Sequence, residues 1–368
     1  MGRVRRVVVK IGSQILSSAQ GIEEPRLRAL VLELAALHDR KKEIVVVSSG
    51  AVAGGMRGVA GRERPKTIPE KHALAAVGQI KLMALYEHHF SKFGKCVAQV
   101  LLSHADLANR QRYINAQHTF QMLLEASIVP IVNENDTVAV EEMQFGDNDH
   151  LSALVATLLG ADLLVILSDV EGVYDRDPRL FHDARLIPLI DNIREARSAI
   201  NGVSQSALGT GGIVTKVAAG EEAAVAGIPT MITSGLVTRA IERVFAIEEQ
   251  VGTLILPDQN RLTHRKHWIA YTLRPAGDVV VDTGAHDALV QKGRSLLPSG
   301  LKEIRGTFGV GECVRCLDGQ GREFARGLVN YSSHELNQIK GLHTSKIEQV
   351  LGYKAYDEII HRDDLVVL

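Results

Sequence analysis

Short, strongly apolar runs alternate with amphipathic segments along the first two thirds of the chain. The apolar runs are rich in Val, Ile and Leu and predict buried strands, whereas the spacing of apolar positions between them predicts helices. The predicted strands are 4–11, 43–47, 95–102, 128–132, 161–167 and 228–233, and the predicted helices are 24–41, 71–90, 110–125, 151–159, 216–226 and 236–246. Apolar strands that alternate with helices form mainly parallel sheets covered on both faces. The pattern therefore predicts an α/β fold, a three-layer αβα sandwich with a mainly parallel central sheet.

The pattern changes after residue 257. From residue 277 onward, short Val-rich segments are separated by Gly and Asp-Gly turns, which predicts a small, mostly β domain. We therefore expect an α/β domain over 1–257, a linker over 258–275, a mostly β domain over 276–354 and a C-terminal tail over 355–368.

Composition and charge exclude several classes of protein. The 368 residues are 45% hydrophobic and carry a net charge of −1, so there is no overall electrostatic basis for binding nucleic acid or membranes. No apolar run approaches the ~20 residues of a membrane-spanning helix, and Lys10 interrupts the apolar start, which therefore predicts a strand and not a signal peptide. Three cysteines cannot form a disulfide framework, which favours a reducing cytoplasm. Cys313 and Cys316 lack the further ligands that zinc needs, and we expect them to be structural.

The most polar segment follows the predicted strand 128–132. Carboxylates and amides are concentrated there, at Asn133, Glu134, Asn135, Asp136, Asp147, Asn148 and Asp149. Ligands of open α/β sheets bind in the crevice beyond the carboxyl ends of the strands. Such a loop suits an ammonium-bearing substrate or a metal. The alternative is a solvated turn in which Asn148 or Asp149 caps the helix predicted from residue 151.

Lys10 ends the first predicted strand, directly before a glycine. An ammonium group at a strand end can meet phosphate oxygens, although a lysine that extends to solvent is the alternative. The small residues of the second strand-to-helix turn, SSGA at 48–51, would let the backbone approach an anion. Many α/β folds have such turns for packing reasons alone.

Residues 208–216, LGTGGIVTK, have the composition of a phosphate-binding loop. Backbone N–H groups and one lysine could hold phosphates as they do in a P-loop, although the Walker A order is absent and a flexible glycine loop is the alternative. The segment 168–179, SDVEGVYDRDPR, follows a predicted strand. It could hold the base and ribose of a nucleotide, or it could be a plain loop.

Taken together, KIGS, SSGA, NEND, GDND, SDVEGVYDRDPR and GTGGxxTK resemble the motifs of the amino acid kinase family in order and spacing. The segment after residue 277 resembles a PUA domain, so the resemblance covers almost the whole chain. It departs from the family at His150, where asparagine is common, and at Ile213, where methionine is frequent. The resemblance implies that ATP, with Mg²⁺, phosphorylates the side-chain carboxylate of L-glutamate, the first step of proline synthesis.

The resemblance also implies the roles of individual residues. Lys10 and Lys216 would stabilise the transferring phosphoryl group, and Asp149 would organise these two lysines. The positions that match the glutamate-binding residues are Ser49, Asp136 and Asn148. The positions that match the nucleotide-binding residues are Lys10, Ser168, Asp169, Thr210, Gly211, Gly212, Ile213, Val214, Thr215 and Lys216. No residue of the chain is assigned as a metal ligand.

The family further implies a cytoplasmic homo-oligomer (a dimer or tetramer), feedback inhibition by proline, and the next enzyme of the proline pathway as a candidate partner. The closest alternatives are family members that act on acetylglutamate, aspartate, carbamate or UMP. An N-acetylated substrate has no ammonium group and would not need Asp136. Another alternative is RNA binding through the PUA-like domain, but basic and acidic residues are nearly balanced over 276–354, so we expect this binding to be weak or absent. An inactive regulatory protein is disfavoured because every assigned polar position is filled.

Overall fold

The computed structural model describes residues 4–18, 21–56, 65, 67–138, 148–191, 212–246, 251–257, 266 and 268–368. The chain divides into two compact units, Met1–Arg261 and Leu262–Leu368. Among the described residues, no helix is both long enough and apolar enough to cross a membrane.

The first unit is built around a mainly parallel sheet. Its strands are β1 (Arg6–Ile11), β2 (Ser17–Ser18), β3 (Gly21–Ile22), β4 (Glu43–Ser48), β5 (Val97–Leu102), β6 (Val129–Glu134), β7 (Leu163–Ser168), β8 (Leu189–Ile190), β9 (Thr230–Ser234) and β10 (Thr253–Ile255). Within the described ranges, eight of them form one sheet in the order β5-β6-β4-β1-β7-β9-β10-β8. All neighbours in this sheet are parallel except β9 and β10, which confirms the predicted sheet.

Helices cover both faces of this sheet. They are α1 (Ser13–Leu16), α2 (Glu24–Asp39), α3 (Ala51–Met56), α4 (Ile68–Ser91), α5 (His104–Ala108), α6 (Arg110–Glu125), α7 (Asn148–Leu159), α8 (Ile213–Val225) and α9 (Ala240–Phe245). Helices α6, α7 and α8 share one apolar core with the sheet, and α2, α4 and α9 share the other. The predicted three-layer αβα sandwich is confirmed.

Strand β1 lies in the middle of the sheet, between β4 and β7. Val9 and Ile11 pack into the core beside α2 and α4, whereas Val8 packs into the core beside α7 and α8. Because side chains alternate along a strand, Lys10 points to the same side as Val8. Its ammonium group therefore lies in the layer that contains α7 and α8.

Helices α3 and α4 are in contact through their backbones. A Cβ atom built on Gly78 of α4 would lie 1.7 Å from the carbonyl oxygen of Ala51, and one built on Gly55 of α3 would lie 2.0 Å from that of Leu74. Only glycine permits such a close approach of two backbones. Since Gly50, at φ +113°, directly precedes α3, this contact also fixes the end of the turn that carries Ser49.

His89 of α4 makes the folded chain sensitive to acid. Its side chain is 3% exposed, with Nε2 3.3 Å from Glu24 Oε1. Burial, and then the charge of Lys92, lower the pKa of His89 below its usual 6.5, and Glu24 only partly opposes them. An unfolded chain therefore takes up a proton near pH 6.5 that the folded chain takes up only at lower pH.

We expect this contribution of His89 to the free energy of unfolding to be complete above about pH 6.5 and to be lost as the pH falls towards the lowered pKa. Urea unfolding between pH 8 and 5 should show a shallower loss of stability in His89→Leu than in the unchanged chain. The exposed His118 on α6 provides a control, because His118→Ala should keep the original slope. Equal slopes for His89→Leu and the unchanged chain would contradict this assignment.

The second unit is a small, mostly β structure, as predicted. Its strands are β11 (Gly277–Val281), β12 (Leu301–Gly306), β13 (Cys313–Leu317), β14 (Glu323–Leu328) and β15 (Leu365–Val367), and its α-helices are α10 (Thr283–Lys292), α11 (Ser333–Ile339) and α12 (Ile347–Leu351). The strand order is β12-β11-β13-β14-β15. Cys313 and Cys316 are buried, and burial raises the pKa of the Cys313 thiol to about 12.

Two predicted boundaries of this unit were wrong. Residues 355–368 were expected to be a tail, but β15 pairs with β14, and Leu365 and Val366 are buried. Residues 258–275 were expected to be a linker, but Trp268–Thr272 form a buried π-helix. Its Ala270 carbonyl accepts a hydrogen bond of 2.7 Å from Arg326. Within the described residues, Trp268–Thr272 and Leu365–Val367 therefore bury apolar side chains within the second unit.

Candidate active site

Polar side chains collect where the central parallel strands end. Lys10 lies near the end of β1, Ser48 ends β4, Asn133 lies near the end of β6, and Ser168 ends β7. These strands are neighbours in the order β6-β4-β1-β7, so their carboxyl ends lie side by side. This edge is where open α/β sheets bind ligands.

Asp149 joins the two predicted catalytic lysines. Its Oδ1 lies 2.5 Å from Lys10 Nζ, its Oδ2 lies 3.2 Å from Lys216 Nζ, and Oδ2 also accepts a 2.9 Å hydrogen bond from the Thr215 hydroxyl. The exposed fractions are 0% for Asp149, 2% for Lys10 and 7% for Lys216. Two buried ammonium groups therefore share one carboxylate, and the formal charges of these three residues sum to +1. A cluster of this sign favours an anion such as a phosphoryl group.

Lys216 is held at the beginning of α8. Gly212 precedes the helix, and its carbonyl oxygen accepts a hydrogen bond of 3.0 Å from Lys216 Nζ. Gly212 itself is exposed, and apart from its chain neighbours no described residue has an atom within 4 Å of a built Cβ. The first N–H groups of a helix attract anions, so the lysine and the helix start favour the same kind of ligand. Thr210 and Gly211 lie outside the described residues, whereas Ile213, Val214 and Thr215 form the first turn.

Asn148 and Ser49, two of the predicted glutamate-binding residues, are in contact. Asn148 Nδ2 lies 2.9 Å from Ser49 Oγ, 2.9 Å from Asn133 Oδ1 and 3.3 Å from the carbonyl oxygen of Ser48. Three acceptors thus fix the direction of this amide. Its Oδ1 is buried and has no hydrogen-bond partner within the described part of the chain. A buried acceptor of this kind can receive a donor from a ligand.

Asp136, the third of these residues, lines a cavity of about 220 Å³ together with Gln79, Gln99 and Glu134. Gln79 also accepts a 3.0 Å hydrogen bond from Asn133, and so connects the cavity to the Asn148 amide. Burial raises the pKa of the Asp136 carboxyl above its usual range, although the nearby His72 lowers it in part. A cationic ligand would relieve the cost of burying this carboxylate.

Ser168 and Asp169, predicted to bind the nucleotide, follow each other at the end of β7. The Ser168 hydroxyl donates a 3.0 Å hydrogen bond to Asp169 Oδ1. Ser168 is buried and Asp169 is exposed, so only the aspartate presents its side chain to solvent. The turn after β1 packs beside them, because the Gly12 N–H donates to the carbonyl oxygen of Leu167 at 3.2 Å.

The sequence predictions missed several residues that support this site. The buried Tyr86 hydroxyl lies 2.8 Å from Ser48 Oγ, and Gln79 makes the contact with Asn133 already described. Both belong to α4, where helical periodicity is the only signal in the sequence. His150 was noted only as a departure from the family, and Glu222 was not noted.

The helix predicted from residue 151 begins at Asn148. Asn148 and Asp149 therefore lie in its first turn, and the prediction that one of them caps a helix at 151 was wrong. A helical start at residue 148 lets the amide and the carboxylate point in different directions, about 100° apart around the axis. Asp147 and the rest of 139–147 lie outside the described residues.

Comparison with known sequences identifies the class of protein that this fold and this site define. Residues 5–234 match the sequence model of the amino acid kinase family, and residues 277–351 match that of the PUA domain. The chain belongs to the amino acid kinase family.

Eight curated relatives that are 45–50% identical to this chain share one description, glutamate 5-kinase. The relative from Geobacter metallireducens is 50% identical over 367 residues, covering 100% of this chain and 98% of that protein. The relative from Meiothermus ruber is 50% identical over 359 residues, covering 98% of this chain and 94% of that protein. A solved structure of carbamate kinase from Giardia lamblia bound to AMP-PNP has a TM-score of 0.51 at 16% identity, covering 70% of this chain and 100% of that one. It shows the fold alone.

Proposed function

We propose that this chain transfers the γ-phosphoryl group of ATP to the side-chain carboxylate of L-glutamate, giving glutamyl 5-phosphate, the first step of proline synthesis. The observation that carries the proposal is the Lys10–Asp149–Lys216 cluster, in a chain whose relatives are described as glutamate 5-kinases over nearly its full length. We assign the reaction to the first unit, which contains all of these residues.

The nucleophile of this reaction needs no general base. A glutamate side chain has a pKa of about 4.3 and is already a carboxylate at neutral pH. The reaction instead needs alignment of the reacting oxygens and positive charge around the phosphoryl group. The buried lysine cluster supplies that charge, and its position at the strand ends supplies the alignment.

Lys10 and Lys216 have matching roles in this proposal. Each ammonium group has more than one N–H donor, so each can hold Asp149 and still donate to a phosphate oxygen. Asp149 keeps the two like charges close together in a buried site, where they would otherwise repel each other. The positive charge of the two lysines is therefore already in position before the transition state forms.

Glutamate carries an ammonium group and two carboxylates, and different side chains bind the positive and the negative groups. In our proposal the Asp136 carboxylate and the buried Oδ1 of Asn148 accept hydrogen bonds from the α-ammonium group. The Ser49 hydroxyl, which accepts from Asn148 Nδ2, donates to a substrate carboxylate. Gln79 connects these two parts of the site through Asn133.

Mg²⁺ fits this site as a companion of the nucleotide. The described residues contain no cluster of side chains that could hold a metal ion on its own, and both oxygens of Asp149 already contact lysines. Mg²⁺ in kinases is held mainly by substrate phosphates and water. We propose that it is bound through the phosphates of ATP and adds positive charge there. Ser168 and Asp169 are proposed to bind the nucleotide.

A substrate panel tests the proposed reaction. ATP turnover would be measured with L-glutamate, L-aspartate and N-acetylglutamate, and the acyl phosphate would be trapped as a hydroxamate. We expect product with glutamate, a higher glutamate KM in Asp136→Ala, and little product from N-acetylglutamate, which lacks the ammonium group. Product from another substrate but not from glutamate would retain the family and overturn the substrate assignment.

The raised pKa of Asp136 predicts a pH dependence of glutamate capture. As the pH falls through this raised pKa, the free enzyme loses the carboxylate that binds the ammonium group, so kcat/KM for glutamate should fall. Asp136→Asn should have a low kcat/KM that no longer changes over this acidic range. The exposed Asp183 offers a control, because Asp183→Asn should keep the original profile. If kcat/KM for glutamate still fell at acidic pH in Asp136→Asn as it does in the unchanged chain, a group other than Asp136 would be responsible for the fall.

A cytoplasmic location, a homo-oligomer and an association with the next enzyme of the proline pathway are further proposals. They derive from the family resemblance.

A further inference from the structure

An ion pair lies directly beside the catalytic cluster. His150 follows Asp149 in the first turn of α7, and its Nδ1 lies 2.6 Å from Oε2 of Glu222 on α8. The side chain of Glu222 is 3% exposed, whereas that of His150 is 37% exposed. A buried carboxylate is therefore held by a cation that can exchange protons with water.

This pair is one of two polar contacts that the described side chains make between α7 and α8. The other joins Asp149 to Thr215 and Lys216. Thr215 and Glu222 are seven residues apart, which is two helical turns or about 10 Å along α8. Two contacts at this separation fix both the position and the direction of α8 relative to the first turn of α7.

Apolar side chains of both helices belong to the core on this face of the sheet, including Leu154, Leu158, Val217, Ala223 and Ala224. The hydrophobic effect is not directional. The polar contacts therefore add a directional constraint on α8 that apolar burial alone does not supply.

The charges around His150 favour its protonated form. Burial alone would lower its pKa, but the carboxylates of Glu222 and Glu134 together raise it above the usual 6.5. Glu222 approaches from α8, and Glu134 ends β6 and is buried. Among the described residues, these two are the charged groups that act on the imidazole.

We propose that His150 and Glu222 are positioning residues for phosphoryl transfer, and that their ion pair holds α8 so that Lys216 and Lys10 reach the phosphoryl group together. This inference rests on the kinase reaction proposed above. The pair touches neither substrate nor nucleotide in this proposal, and acts through the helix that carries Lys216. When the imidazolium loses a proton, Nδ1–H can still donate to Glu222, but the attraction between opposite charges is lost and this contact of α8 weakens.

The expected signature is an alkaline decline in kcat. As the pH rises through the raised pKa of His150, kcat should fall, with a smaller change in the KM for glutamate, since Asp136 and Ser49 are not on α8. His150→Ala should have a kcat between about tenfold and a hundredfold lower, because small displacements of a catalytic group have effects of this size. It should also lack the alkaline decline. His150→Lys keeps a cation at every pH of the assay and should recover much of kcat while moving the decline to higher pH.

The measurement is glutamate-dependent hydroxamate formation by the full chain from pH 6.5 to 9.5, with thermal unfolding of each variant in parallel. Glu222→Gln should reproduce His150→Ala, and the double variant should lose no more activity than either single one, because both remove the same contact. His118→Ala on α6 is the control and should keep the original profile. If the unchanged chain makes no product with glutamate, the proposed function fails, whatever His150 does.

If the unchanged chain is active, the variants decide the inference. An alkaline decline that persists unmoved in His150→Lys would overturn it, as would a Glu222→Gln variant with unaltered kcat. Should His150→Ala fail to fold, His150→Lys and Glu222→Gln still give the decision, because each keeps a polar side chain in place. A loss of activity that only follows a loss of folded protein would assign the pair to stability and would also overturn the inference.

Discussion

Replacing Asp149 by asparagine should nearly abolish phosphoryl transfer and strongly destabilise the first unit. The carboxylate is completely buried between two ammonium groups, 2.5 Å from Lys10 and 3.2 Å from Lys216. An asparagine amide can offer its oxygen to only one lysine, and its NH₂ group then faces the other. Two buried like charges would lose the carboxylate that they share, and breaking a buried ion pair in this way costs about 3–5 kcal/mol.

We expect kcat to fall about a thousandfold, a loss comparable to the removal of a strong electrostatic contact to a transition state. Hydroxamate formation measures activity, and urea unfolding measures stability. Asp183→Asn is a matched control, since Asp183 is 75% exposed and pairs with Arg176 at the surface. It should change neither quantity. Normal stability in Asp149→Asn would show that the lysines are not held as charged groups by this carboxylate.

Replacing Gly78 by alanine should destabilise the chain by about 3 kcal/mol or more, the upper part of the range for overpacking. In a helix with free space the same change is favourable by up to about 1 kcal/mol. Here the new Cβ would lie 1.7 Å from the carbonyl oxygen of Ala51, which is backbone and cannot turn aside. Helix α3 would have to move away from α4, and the Ser49 turn in front of it would move as well.

Urea unfolding of Gly78→Ala measures this cost, and the KM for glutamate should rise because Ser49, which we propose to bind glutamate, is displaced. Gly284 of α10 is the matched control. A Cβ at Gly284 would be 3.5 Å from Asp282 Oδ1, an ordinary contact, so Gly284→Ala should leave stability unchanged or slightly raised. If both alanine variants unfolded alike, the close contact between α3 and α4 would not be a determinant of stability.

The sequence predicts the parts of this protein that depend on local pattern. Continuous apolar runs such as 43–47 and 161–167 can be accommodated only as buried strands between helices, and this predicts the sandwich. Lys10 is recognisable because a charge that follows three valines at a strand end is unusual. The family motifs then connect Lys10 with Asp149 and Lys216, which no periodicity could do.

The remaining features depend on contacts between distant segments. β15 is a short run of apolar residues beside acids, and it becomes a strand only because β14 offers an unpaired edge. Gln79 and Tyr86 are ordinary helical positions until α4 is packed against the ends of β4 and β6. The pairing of His150 with Glu222 follows from the alignment of α7 with α8, and local sequence patterns do not encode that alignment.

The placement of Lys10 in the central strand affects when the core around it can close during synthesis. β1 is synthesised well before α7, but the carboxylate that neutralises Lys10 belongs to α7, after β6. In a nascent chain that ends before Asp149, closing the layer around Lys10 would bury a lysine without this carboxylate, which is strongly unfavourable. We therefore expect Lys10 to stay solvated until α7 is made, while α2 and α4 can already pack on the other face of β1 and β4.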